Sequence, residues 1–123
     1  MGRVVFVEDD PAIRKLVGVA LRSTPHEVHI ATNGREGLAL ALRVRPDAVF
    51  TDVSMPEMDG LALADAIRAR PELANTRIVF ITASVQKEQV ERYLARGASA
   101  YLAKPFSPKD LRAQVDKWTG AGA

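Results

Sequence analysis

The side chains in this chain best suited to do chemistry are two acids, Glu8 and Asp9, a third acid, Asp52, the hydroxyl of Thr82 and the amine of Lys104. Each stands at the end of a short apolar run. Val4-Val5-Phe6-Val7 precedes Glu8-Asp9-Asp10, and Ala48-Val49-Phe50 precedes Thr51-Asp52. Ile78-Val79-Phe80-Ile81 precedes Thr82, and Ala100-Tyr101-Leu102-Ala103 precedes Lys104-Pro105. Carboxylates brought together repel and raise one another's pKa unless a cation relieves them. A small set of oxygen ligands with room for water suits Mg²⁺ better than zinc or copper. A lysine facing the acids adds a mobile positive charge. Mg²⁺, an ammonium and a hydroxyl around one carboxylate can cradle a phosphoryl group, whose transfer chiefly requires charge stabilisation on its oxygens. In that chemistry Asp52 is the nucleophile and an aspartyl-phosphate is its product.

The surrounding elements must bring these groups to one place. The first strand is followed by Asp10-Pro11, an N-cap acid and a proline suited to the first helical position. Ile13, Leu16, Val17, Ala20 and Leu21 then recur at helical spacing as one apolar face, and Ser23-Thr24-Pro25 ends that helix. Val28-His29-Ile30-Ala31 reads as a second short strand. Asn33-Gly34-Arg35-Glu36 has the pattern of a capping box and opens a Leu/Ala-rich helix to about Arg45. The third strand delivers Asp52, and Met55-Pro56 cannot continue a central ladder. Asp59-Gly60 signals a cap or turn before a helix with Leu61, Ala64 and Ile67 on one side, which stops at Pro71. After the fourth strand, Arg77 to Thr82, comes a helix with Val90, Tyr93 and Leu94 facing inward, stopped by Gly97. The fifth strand leads to Ser107-Pro108, which repeats the cap-plus-proline start, and Leu111, Val115 and Trp118 face inward from the last helix.

Five strands alternating with five helices, the strands nearly continuously apolar, predict a parallel sheet covered on both faces. Right-handed crossovers leave few topologies, and the flavodoxin-like order 2-1-3-4-5 suits five strands. All carboxyl ends of a parallel sheet share one edge, where ligands bind at the switch point between strands one and three. Asp9 and Asp52 are therefore expected to approach each other.

Composition narrows the class. The chain has 123 residues, 47% hydrophobic and 26% charged, as expected of a single globular domain. A net charge of +2 with scattered arginines predicts solvated surface and no direct nucleic-acid binding. No apolar run approaches the length of a membrane span, and the N-terminal apolar stretch is too short for a signal peptide. The absence of cysteine excludes disulfides and thiolate metal sites. The expectation is a cytoplasmic protein with no membrane partner.

Taken in order, Val7-Glu8-Asp9-Asp10, Asp52-Val53-Ser54-Met55-Pro56 with Asp59-Gly60 beyond it, Ile81-Thr82-Ala83 and Lys104-Pro105-Phe106 resemble the receiver (REC) domain of two-component response regulators. The likeness is to the single-domain, chemotaxis-regulator-like kind, and spans residues 3–118; residues 119–123 would be a flexible tail or the start of a linker. The resemblance implies that Asp52 takes phosphate from a phosphohistidine of a sensor histidine kinase or phosphotransfer protein. It implies Mg²⁺ held by Asp9, Asp52 and the Ser54 carbonyl, with Glu8 acting through water; Asp10, before Pro11, reads as the helix cap, with a metal ligand as its alternative role. Lys104 would pair with a phosphoryl oxygen, and Ala83 would leave that group room. Thr82 would swing toward it and Tyr101 would follow inward. The Lys104-Pro105 bond would be cis. The surface of residues 86–118 would change with phosphorylation and meet a partner protein or a C-terminal output domain, or drive a homodimer. The domain would be a switch that catalyses its own phosphoryl transfer and autodephosphorylation rather than an enzyme in the ordinary sense.

Simpler readings compete for several positions. A strand-end threonine such as Thr82 often bonds its own backbone, Tyr101 could be a half-buried core ring, and Trp118 is expected in the core. His26 and His29 are three apart with no third ligand in view, and are expected to face solvent. A phosphatase of the haloacid dehalogenase type would need a second acid two residues after Asp52, where Ser54 stands. A flavin carrier would need a Ser/Thr/Gly-rich loop after the first strand, where three acids would repel phosphate. A receiver-like module that is never phosphorylated would not need the full set of Asp9, Asp52, Thr82 and Lys104.

Overall fold

The β-branched and aromatic runs form the sheet anticipated from sequence. In a computed structural model describing residues 2–53, 58–83 and 86–119, the strands are β1 (Arg3–Val7), β2 (Glu27–Ala31), β3 (Ala48–Asp52), β4 (Arg77–Thr82) and β5 (Ala100–Ala103). They pair in parallel in the order β2-β1-β3-β4-β5. The connecting helices are α1 (Pro11–Ala20), α2 (Gly34–Val44), α3 (Gly60–Arg68), α4 (Lys87–Ala95) and α5 (Pro108–Trp118), with a 3-10 turn at Pro71–Leu73. The fold is the flavodoxin-like α/β arrangement.

The period of two along each strand divides the core. Val5, Val7, Val49, Ile78 and Phe80 face α2, α3 and α4, and pack with Ala41, Leu63, Ala64, Ile67 and Tyr93. Val4, Phe6, Ala48, Phe50, Val79 and Ile81 face α1 and α5, and pack with Val17, Ala20, Leu111 and Val115. Phe6 and Phe50 stack with ring centroids 5.7 Å apart. Burying each such side chain contributes about 1.5–3 kcal/mol, so both layers hold the strand ends in register.

The helix starts are written in side chains. Asp10 accepts from the Ala12 N–H at 2.8 Å and Asp59 from the Ala62 N–H at 2.8 Å. The box expected at Asn33 is only half present. Asn33 accepts from the Glu36 N–H, but the Glu36 carboxylate reaches one residue further back, to the N–H and hydroxyl of Thr32. The reciprocal box forms instead at α5, between Ser107 and Asp110.

Four expectations need correction. Leu16 and Leu94 do not face the core; they are 39% and 49% exposed. Their neighbours Val17 and Tyr93 take the inward positions, and consecutive helical residues point about 100° apart. His26 does not face solvent: it is buried, with the Gly2 N–H donating to Nδ1 at 2.9 Å. Its Nε2 lies 2.9 Å from Asp116 Oδ1 and 3.1 Å from Thr119 Oγ1. Thr119 is accordingly part of the packed body, 1% exposed, rather than the first residue of a tail. His29 is half-buried beside Glu27, its Nε2 2.7 Å from Oε2, and that hydrogen bond holds the Glu27 carboxyl below its ordinary range. Trp118 packs against the α5 side of the core as expected, with the Arg77 guanidinium 5.4 Å from its ring centroid.

Candidate functional site

The ladder itself carries the acids to the rim. β1 ends at Val7, and the Glu8 N–H still bonds the Ala31 carbonyl of β2 at 3.1 Å. β3 runs through Asp52, which remains in register with Ile81 of β4. Alternation then sets the side: Glu8 follows Phe6 and Asp52 follows Phe50 on the α1/α5 face, whereas Thr82 follows Phe80 on the α4 face.

Carboxylate oxygens of Glu8, Asp9 and Asp52 lie within 4.8 Å of one another. Glu8 is fully buried, Asp52 is 8% exposed and Asp9 is half-buried. Lys104 reaches across from the end of β5, its Nζ 2.6 Å from Asp52 Oδ2 and 3.3 Å from Glu8 Oε1. The Lys104-Pro105 peptide bond is cis. Ala83, at the end of β4, is exposed. Ser54 lies outside the described residues.

Charge balance at the site is uneven. Burial pushes the Glu8 carboxyl up to about 7; the neighbouring charge of Asp52 adds to this, and the Asp10 N–H bond to Oε2 opposes it. Burial pulls the Lys104 ammonium down, but its hydrogen bond to Asp52 and the charges of Asp52 and Glu8 outweigh that and hold it above the ordinary lysine range. Glu8 Oε1 is buried and has no hydrogen-bond partner among the described residues, its nearest cation being the Lys104 ammonium at 3.3 Å. A buried carboxylate oxygen left so, next to two more carboxylates, is what a hard divalent cation with oxygen ligands would complete. The donor set therefore fits Mg²⁺.

The raised carboxyl has a consequence for stability. A folded-state pKa above the unfolded 4.5 means stability that is complete below that value and is lost as pH climbs through about 7. Between pH 5 and pH 8, the metal-free protein is expected to lose a few degrees of Tm that Glu8→Gln does not lose. Parallel melts of the two proteins in a chelator check this; equal pH slopes would refute it.

Thr82 is 5% exposed, and its Oγ1 lies 3.3 Å from the hydroxyl of Tyr93 on α4. From its spacing alone Tyr93 is no more than an inward-facing ring. A buried phenol usually finds a polar partner, and that rule, applied to the α4 pattern, would have singled it out. Tyr93 also packs edge-on against Phe80, centroids 5.2 Å apart. Tyr101 is 38% exposed on β5. On the α1 side, Ile13, Leu16, Ala83, Pro105 and Phe106 form an apolar hollow bordering Lys104. No helix among the described residues is long and apolar enough to cross a membrane.

Comparison with known proteins gives concordant matches. The family model described as the response regulator receiver domain matches residues 4–116. The chemotaxis protein CheY4 of Vibrio cholerae superposes with a TM-score of 0.89 at 34% identity, over 96% of this chain and 98% of that one. The receiver domain of sensor histidine kinase PA1611 from Pseudomonas aeruginosa PAO1, solved with a magnesium ion coordinated in its active site cleft, gives 0.84 at 30% identity, over 95% and 96%. The DNA-binding dual master transcriptional regulator RpaA of Synechocystis is 32% identical over 115 residues, 94% of this chain and 48% of that protein. The chain spans about half or less of the length of the curated relatives it matches.

Proposed function

The chain is a response regulator receiver domain of two-component signalling, and from that premise we propose that Asp52 is its phosphoacceptor. The domain is the switch of a regulator, not a classical enzyme. The observation that carries the proposal is the contact of Lys104 Nζ with Asp52 Oδ2 at 2.6 Å, in a cluster where Asp52, Glu8 and Asp9 have carboxylate oxygens within 4.8 Å of one another.

In the proposed reaction an Asp52 carboxylate oxygen attacks the phosphorus of a phosphohistidine on a sensor kinase or phosphotransfer protein. The P–O bond forms, the P–N bond breaks, and the electron pair stays on the imidazole nitrogen. Glu8, Asp9 and Asp52, with the Ser54 carbonyl, would hold Mg²⁺, which when bound neutralises the charge gathering on the phosphoryl oxygens. Lys104 is within reach of the same oxygens and would trade its contact with Asp52 for one of them. The apolar hollow bordering Lys104 gives a protein donor a surface to seat against.

The transmitted change would begin at Thr82. Drawing its hydroxyl toward a phosphoryl oxygen breaks the contact with Tyr93 and frees α4 at one point. Tyr101 on the neighbouring strand then has space to move inward. The face of α4, β5 and α5 would thereby change for a downstream protein, a C-terminal output domain or a second copy of the chain. Small shifts become two-state changes because packed cores do not deform continuously. We place the domain in the cytoplasm, a reading supported by its receiver fold; no helix among the described residues is long and apolar enough to cross a membrane.

Acetyl phosphate with Mg²⁺ is expected to add one phosphoryl group, read by intact mass, and a chelator is expected to prevent it. An unchanged mass with Mg²⁺ present would show a binding module that is not phosphorylated.

A further inference from the structure

Past Val7 the chain leaves the sheet, and the backbone of the acidic loop must find partners elsewhere. Two of its carbonyls find the same one. Arg14 Nη1 donates to the Glu8 carbonyl at 3.0 Å and to the Asp9 carbonyl at 2.8 Å. One guanidinium nitrogen carries two N–H groups, so a single atom can tie both peptide units. These are the two residues whose carboxylates form one side of the candidate metal site. The loop's other bonds include Asp10 N–H to Glu8 Oε2 at 3.2 Å and Ala12 N–H to Asp10 Oδ1 at 2.8 Å, besides the backbone bonds of Glu8 N–H to Ala31 and of Arg14 N–H to Asp10.

Arg14 gains nothing from the helix it stands on. It lies in the first turns of α1, a helix with no acid in its first turn. A cation near a helix N-terminus opposes the macrodipole. Its charge is also the wrong sign for a neighbour of a cation site. What the position does supply is reach: the side chain, half-buried, folds back over the start of the helix to the loop.

We infer that Arg14 is a positioning residue for the metal-binding acids: by clamping the Glu8 and Asp9 carbonyls it fixes the direction of both carboxylates. The inference rests on the proposed Mg²⁺ site. Groups that orient metal ligands typically change metal affinity about 10- to 100-fold when removed.

Charge and positioning predict opposite signs, which makes the test decisive. Removing a positive charge near a cation site strengthens cation binding by Coulomb's law alone. Loss of the clamp weakens it. Calorimetric Mg²⁺ titrations of the metal-free protein are therefore compared for wild type, Arg14→Ala, Arg14→Lys and Lys15→Ala. Arg14→Ala is expected to weaken Mg²⁺ binding about tenfold, while its acetyl phosphate rate at saturating Mg²⁺ stays near that of wild type. Arg14→Lys, whose ammonium can still donate to both carbonyls, is expected to recover most of the affinity. Lys15→Ala, which removes a neighbouring exposed charge, is expected to leave binding unchanged or slightly tighter. Should alanine prevent folding, Arg14→Met keeps the aliphatic stem and serves in its place. Unchanged or tighter binding in Arg14→Ala or Arg14→Met overturns the positioning role while leaving Asp52 as acceptor intact. A wild-type protein that binds no Mg²⁺ at millimolar concentration overturns the metal site and the inference together.

Discussion

Asp52→Asn is expected to leave a folded protein that gains no phosphoryl group from acetyl phosphate and Mg²⁺, with intact mass as the readout. Asparagine has nearly the same shape and keeps an oxygen for the Lys104 ammonium, which lies 2.6 Å from Oδ2 in the wild type. What it loses is the anionic oxygen that would attack phosphorus and one of three carboxylates around the candidate metal position. Removing an essential nucleophile abolishes the reaction rather than slowing it slightly. The fold survives because Asp52 sits at the end of its strand, and the apolar residues before it, Ala48 to Phe50, are untouched. An Asp52→Asn protein that still takes up a phosphoryl group would mean that another acid, Asp9 first, is the acceptor.

The second large effect is at Gly60, the first residue of α3. Its Cα approaches the end of β3 so closely that a Cβ there would lie 2.3 Å from the Asp52 carbonyl oxygen and 2.9 Å from the Val53 Cα. Both are backbone atoms, which cannot rotate aside as a side-chain tip can. Gly60→Ala must therefore push α3 away from β3 or tilt the Asp52 peptide. Overpacking of this kind typically costs about 1–3 kcal/mol, and obstruction by backbone belongs at the upper end. The expected result is a Tm lower by about 8 °C or more, together with slower phosphorylation of the surviving folded protein. A Gly60→Ala protein with wild-type Tm and rate would show that the contact relaxes at no cost. Gly97 differs in kind: at φ +90 it occupies the left-handed region just after α4, with the Arg68 side chain against it.

Two contacts lie on opposite sides of the sheet, the first on the proposed route from Thr82 to α4. The Thr82–Tyr93 pair connects the end of β4 directly to α4, while Tyr101 stands exposed on the next strand. At the opposite edge of the sheet, His26 joins the start of β1, the start of β2 and the end of α5 through Gly2, Asp116 and Thr119. α5 is thus tied near its C-terminus to the starts of β1 and β2 by a buried imidazole, while its N-terminus is capped by its own Ser107–Asp110 box.

The sequence alone determined the sheet, its order and the rim on which the acids, the hydroxyl and the amine would stand. The reason is local. Five apolar runs ending in polar residues point to five buried strands, parallel strands put every such ending on one edge, and the flavodoxin-like order that suits five strands makes the first and third neighbours, as found. The side each group takes came from the register: Phe6 pairs with Phe50 and Phe80 with Thr51, so counting by two places Glu8 and Asp52 together and Thr82 apart. Only the tertiary structure decided which of those groups touch. That Lys104 meets Asp52, that Thr82 meets Tyr93, that Arg14 folds back to the Glu8 and Asp9 carbonyls and that His26 is sealed under Thr119 all depend on crossovers and rotamers. The same holds for Leu16 and Leu94, apolar at helical spacing yet turned outward. Periodicity gives the angle of a side chain around its own axis, but the packing of one element on another decides which angles are covered.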